Sequence, residues 1–209
     1  VPNKIRNQIL NEEQKNAVNA ISKHGVILIS GGPGTGKTST ITSILERALS
    51  IDPTLLIGLA APTGKATRRL KESVQKEIKS ISPIQQQLLS NLSYKTLHSW
   101  LQASPNGFGK DKSNPIQLDI LVIDEMSMVD LSLMQGLLNA YPQQSQLVLV
   151  GDPEQLPPIS SGAIWQKLQE DHIREKFGNA AIHLRKVYRN QGKLASLSML
   201  LRHEDLTLF

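Results

Sequence analysis

Four residues separate Gly31 from the run Gly36-Lys37-Thr38, the spacing of a glycine-rich loop that wraps a phosphate. Glycine lets the main chain curl until its amides point inward, and the positive end of a following helix adds to the pull on an anion. On this reading Gly32, Pro33, Gly34, Thr35, Gly36, Lys37, Thr38 and Ser39 cradle a nucleotide. Lys37 reaches its β and γ phosphates, and the Thr38 hydroxyl holds Mg²⁺. The alternative is a tight glycine turn with no ligand. Two carboxylates close the run "LVIDE", Asp124 and Glu125. Asp124 is expected to hold the metal through water, or else to cap the helix that follows. Glu125 has no structural reason to be acidic at a strand end and is placed to orient and deprotonate an attacking water. Transfer of phosphate to a small molecule would not need Glu125 in that role, so hydrolysis is favoured. In "VGDPEQLPPI", Gln155 follows Asp152 by three residues on a proline-pinned turn. It either donates to a γ-phosphate and senses its loss or is an ordinary polar loop residue.

These residues need a scaffold that delivers them to one place. "GVILIS" reads as a fully buried strand, followed by the glycine turn and a helix from Lys37 to about Leu49. "LLIGLAAPTGKATRRL" repeats strand, turn and helix, and "DILVIDE", "QLVLVGD" and "AAIHLRKV" supply three more strands. Short apolar runs alternating with helices predict an α/β fold, a parallel sheet covered on both faces, with ligands at the carboxyl ends of its strands. "LNEEQKNAVNAI" has helical spacing with Asn11 as its N-cap. The stretch from Ser80 to Trp100 reads as helical and polar, broken at Pro83, and "ASPNGFGKDKSNP" from Ala103 to Pro115 as a mobile loop. Together they suggest an insertion over about 80–116 in a single domain spanning 1–209.

Composition narrows the classes. The chain of 209 residues has no cysteine, which excludes disulfides and zinc–thiolate sites. No apolar run reaches membrane-spanning length and no signal peptide is visible, so a cytoplasmic protein without a membrane partner is expected. Val1 stands where a start methionine would, which suggests a piece of a longer protein. The net charge of +5 favours a polyanionic partner. Much of the surplus sits between Lys65 and Lys79, where Lys65, Arg68, Arg69, Lys71, Lys76 and Lys79 face only Glu72 and Glu77. That segment is either a solvated helix face or a surface for phosphates.

"GGPGTGKT", "LAAPTGKATRRL", "TLHSWL", "LVIDEMSMVD", "GDPEQLPPISSGA" and "LRKVYRN" occur in the order and spacing of superfamily-one DNA helicases. They resemble the RecD branch most, and in particular the RecD (alpha) subunit of exodeoxyribonuclease V. The "LPPI" after Gln155 is closer to free-standing RecD-like helicases. The resemblance covers about Leu10 to Asn190. It implies a RecA-like motor domain that binds ATP and Mg²⁺, moves 5′ to 3′ on single-stranded DNA, and has RecB and RecC as partners. It also implies roles. Gln14 resembles the residue that reads the adenine edge, although Asn11-x-x-Gln14 is equally a capping box. Arg189 resembles an arginine finger that stabilises charge on the γ-phosphate, with a surface arginine as the alternative. Pro62, Thr63, Gly64 and Lys65 correspond to contacts with the single-strand backbone, and the basic helix after them, with Arg68, to a track for phosphates. Thr96 and His98 match a further DNA-contacting motif. Trp100 and Trp165 either stack on bases or anchor the core. The family also carries a second motor domain, so this chain is expected to be the first of the two, with the second lying outside it. A nucleotide switch without DNA, or a strand-binding module with a dead nucleotide site, are the readings from other classes.

Overall fold

In the computed structural model the described residues are 10–156 and 163–188. Six strands form one sheet in the order β3-β2-β6-β7-β1-β8, every neighbouring pair parallel. They are β1 (Val26–Gly31), β2 (Ile57–Ala61), β3 (Ser93–Thr96), β6 (Ile120–Ile123), β7 (Gln146–Gly151) and β8 (Ala181–Leu184). A separate two-stranded hairpin pairs β4 (Ala103–Ser104) with β5 (Gly107–Phe108).

The apolar runs become central strands because both faces are covered. β2 and β6 are buried at every residue. On one face Ile27, Ile29, Leu59, Val122 and Val148 pack with Ile41, Ile44 and Leu45 of α2 (Lys37–Ile51) and Leu70 and Val74 of α3 (Gly64–Ile78). On the other, Leu28, Leu121, Ile123 and Leu149 pack with Leu133 and Leu137 of α6 (Leu131–Ala140) and with Trp165 of α7 (Ile164–Gln169). Trp165 is fully buried, and a Cβ at Gly151 would lie 2.8 Å from its ring. It is therefore a core anchor and does not stack on bases. Trp100 also packs inward: its ring would meet a Cβ on Gly58 at 2.8 Å, while Lys95 sits 4.6 Å above its centroid.

Two expectations need correction. The 80–100 segment is not one broken helix. Pro83 begins α4 (Pro83–Leu88), where its missing N–H costs nothing, and Ser82 and Gln85 form a capping box. The segment then supplies β3, an edge strand with alternating exposed and half-buried residues, and the short α5 (Leu97–Trp100). "SYKT" has no apolar run because an edge strand buries only part of its surface. The Ala103–Pro115 segment is also more ordered than a simple loop. Gly107 takes a φ of 112° in the hairpin turn, Phe108 packs against Gly136 of α6, and Asp111 accepts hydrogen bonds from the amides of Ser113 and Asn114.

Candidate nucleotide site at the carboxyl edge

β6, β7 and β1 are adjacent, and each delivers one part of the site at its carboxyl end. Gly31–Thr38 follows β1, Asp124 and Glu125 follow β6, and Asp152 and Gln155 follow β7. A cavity of about 630 Å³ opens there. Gln14, Gly32, Pro33, Gly34, Gly36, Lys37, Thr38, Ser39, Asp124, Glu125 and Gln155 all line it. Thr35 does not. Its hydroxyl turns into the loop and donates to the Gly32 carbonyl at 2.9 Å, leaving the side chain buried. Arg189 lies outside the described residues.

The loop is shaped for an anion. Gly36 has a φ of 85° and starts α2 without a side-chain cap, and the first turn of that helix carries no acid. Its leading amides are therefore open to a ligand's oxygens. Gly31 cannot carry a side chain here, because a Cβ would sit 2.7 Å from Thr35 Oγ1 and 3.0 Å from the Leu184 carbonyl. Lys37 Nζ donates to the carbonyls of Gly31 at 2.7 Å and Gly32 at 3.1 Å, which holds the ammonium over the mouth of the loop.

Glu125 has φ 57° and ψ 42°, a left-handed backbone unusual for glutamate. Strain of this kind persists where the surroundings demand it, commonly at sites of chemistry. Asp124 does not cap α6; Asp130 does, accepting from the Leu133 amide. Asp124 Oδ1 instead accepts the Glu125 amide at 2.9 Å. Burial pushes its carboxyl from the ordinary 3.8 up to about 6, with the Glu125 charge adding to this and the Glu125 amide and Lys37 opposing it. The sign follows from which state holds the proton more tightly. Between pH 4 and 6 the folded ligand-free chain keeps a proton that the unfolded chain has released, so the stability contribution falls as pH rises and levels off above about 6. Asp124→Asn is thus expected to be more stable than wild type at pH 7.5 without ligand, by roughly 1–3 kcal/mol, and to melt higher. The gap should close toward pH 4. Equal melting temperatures at pH 7.5 would show that the carboxylate is not under strain.

Gln14 serves two neighbours. It completes the capping box of α1 (Glu12–Ala20), its Oε1 accepting the Asn11 amide at 3.1 Å. It also accepts the Tyr188 hydroxyl at 3.3 Å, and its Nε2 would lie 2.8 Å from a Cβ on Gly36. The capping and ligand readings are therefore compatible in space. Sequence reasoning missed Tyr188. Its amide donates to the Gly34 carbonyl at 2.8 Å, tying the segment after β8 to the phosphate loop, and its half-exposed ring lines the cavity. The only sequence signal was its place beside Arg189.

The expected DNA residues lie farther along the same edge, after β2 and β3. Pro62 is buried, while Thr63, Gly64, Lys65, Arg68 and His98 are exposed. Thr63 caps α3 through the Ala66 amide, and Thr96 caps α5 through the Ser99 amide. α3, a helix of 15 residues about 22 Å long, follows β2 after Pro62 and Thr63, so Lys65 and Arg68 sit in its first turns. Arg69, Ser73 and Glu77, one helical stripe, line the candidate nucleotide cavity.

A family model described as an AAA domain matches residues 14–161, most of the chain. The chain belongs to the AAA domain family. This AAA domain is RecD-like, of the superfamily-one helicase type. It is 42% identical over 167 residues to the RecBCD enzyme subunit RecD of Mycolicibacterium smegmatis, covering 76% of this chain and 30% of that protein. It is 37% identical to the ATP-dependent RecD2 DNA helicase of Deinococcus radiodurans, covering 78% and 20%. To the ATP-dependent DNA helicase dda of Enterobacteria phage T4 it is 32% identical, covering 73% and 34%. The AAA domain thus spans about a third or less of the length of these relatives. A solved structure of two Pif1 helicases coordinating at forked double-stranded DNA superposes with a TM-score of 0.58 at 20% identity, over 93% of this chain and 48% of that one, which establishes the fold. Among the described residues no helix is long and apolar enough to cross a membrane.

Proposed function

We propose that this AAA domain is the ATP-hydrolysing motor domain of a DNA helicase that moves 5′ to 3′ on single-stranded DNA. The observation that carries the reading is the order of strands along the carboxyl edge. β6, β7 and β1 hold the nucleotide cavity, and β2 and β3 hold Lys65, Arg68 and His98. β2 lies three strand spacings from β1, about 14 Å, and α3 packs against β2 with Arg69 lining the cavity and Arg68 exposed. Gly64 supports contact with a strand: a Cβ there would meet nothing within 4 Å. The fold does not need glycine at that point, whereas a phosphate backbone approaching closely does.

In the nucleotide site the loop amides and Lys37 bind the β and γ phosphates. The Gln14 amide reads the adenine edge, exchanging the Tyr188 hydroxyl for the base. Thr38 and Asp124 offer hard oxygen ligands that would hold Mg²⁺, whose positive charge would offset that of the phosphates. Glu125 accepts the proton of the attacking water, Gln155 donates to the γ-phosphate, and Arg189 stabilises the charge that develops on it. Relatives named as RecBCD enzyme subunit RecD, together with the RecD-like motifs, favour work beside RecB and RecC partners over a free-standing helicase.

The test is ATP turnover by the full-length protein with and without a single-stranded oligonucleotide. Stimulation of about tenfold or more is expected, within the usual range of coupling between two sites. Turnover indifferent to the oligonucleotide would leave a nucleotide switch without DNA.

A further inference from the structure

The turn Met126–Met128 sits directly after Glu125, and its central residue points at the neighbouring strand's loop. Ser127 is 1% exposed, and its Oγ donates to Gln155 Oε1 at 2.7 Å, a normal length for a hydroxyl donor. The turn itself is rigid. Met126 and Val129 are buried on either side, and the amides of Met128 and Val129 close onto the carbonyls of Glu125 and Met126. Gln155 is held a second time through its backbone, whose carbonyl accepts Gln166 Nε2 at 3.1 Å. Gln166 belongs to α7, which is anchored by Trp165 against Gly151.

An amide side chain has one accepting end and one donating end. With Oε1 engaged by Ser127, the end left for the cavity is Nε2, which can donate to a phosphate oxygen. In the opposite rotation a carbonyl oxygen would face the phosphate and repel it. We propose that Ser127 is a positioning residue that sets the Gln155 amide with Nε2 toward the γ-phosphate, linking the Asp124–Glu125 turn to the phosphate-sensing loop. The inference rests on the motor reading above.

A double-mutant cycle on the full-length protein tests it, with turnover and ATP KM measured with and without oligonucleotide. Ser127→Ala is expected to lower kcat about tenfold, the worth of one hydrogen bond, with ATP KM nearly unchanged; because Gln155 is exposed, water can take its freed Oε1 and the melting temperature should move little. Ser127→Thr, which keeps the hydroxyl, should recover most of the rate. In the Gln155→Ala background Ser127→Ala should cost nothing further, because its partner is already gone. Should threonine crowd the buried site, the alanine cycle decides alone. Wild-type kcat in Ser127→Ala, or a full tenfold loss repeated on Gln155→Ala, overturns the inference while the motor reading stands. A wild-type protein whose ATP turnover ignores DNA overturns the motor reading and this inference with it.

Discussion

Lys37→Ala is expected to reduce ATP turnover by roughly 10²–10³-fold, the usual loss when one preorganised donor to developing charge is removed. No other cation among the loop residues Gly31–Ser39 can take its place. Its present partners are the carbonyls of Gly31 and Gly32, and Gly32 and Lys37 line the cavity of about 630 Å³. Water entering the space that the ammonium leaves beside the cavity can take over those carbonyls, so the fold should survive and the melting temperature should move little. A charged donor cannot be replaced by water in the same way, because water brings no net charge to a triphosphate. The measurements are steady-state ATP turnover and ATP affinity beside a thermal melt. Turnover within tenfold of wild type, in a folded protein, would mean that the loop does not hold the phosphates.

Glu125→Gln should separate binding from chemistry. The amide keeps the size of the side chain and its place in the left-handed turn, so Mg·ATP should bind about as well as before. It cannot take a proton from water, and loss of a general base costs roughly 10²–10⁴ in rate. The expected result is a protein that retains radiolabelled ATP on a filter but releases almost no phosphate in single turnover. Lys37→Ala should fail at the earlier step and retain no nucleotide, so the pair tests the division of labour between β1 and β6. Full turnover by Glu125→Gln would remove that residue from the base role.

Much of the candidate site was legible because its signals are local. A loop that wraps phosphate needs glycines at fixed offsets between a strand and a helix, and Gly31 to Thr38 carry that spacing within eight residues. Asp124 was recognisable for a similar reason, as an acid closing a run of apolar residues that are wholly buried in the sheet. Where the signal was weak, the cause was partial burial. β3 lies at the edge and alternates between exposed and half-buried residues, so its polar sequence read as helix. The hairpin at Ala103–Phe108 is anchored by Phe108 on Gly136, a contact between segments far apart in the chain.

Sequence alone was enough for the parallel α/β class, for the phosphate loop, and for carboxylates and amides placed after strands. Those features depend on residue periodicity and on neighbours a few positions away. Only the tertiary structure decided that β7 lies between β1 and β6, that Thr35 turns away from the cavity, that Tyr188 ties itself to Gly34, and that Ser127 grips Gln155. Each depends on which distant segments share a face of the sheet. That choice is made by packing two apolar layers against six strands at once, and no short window of residues contains it.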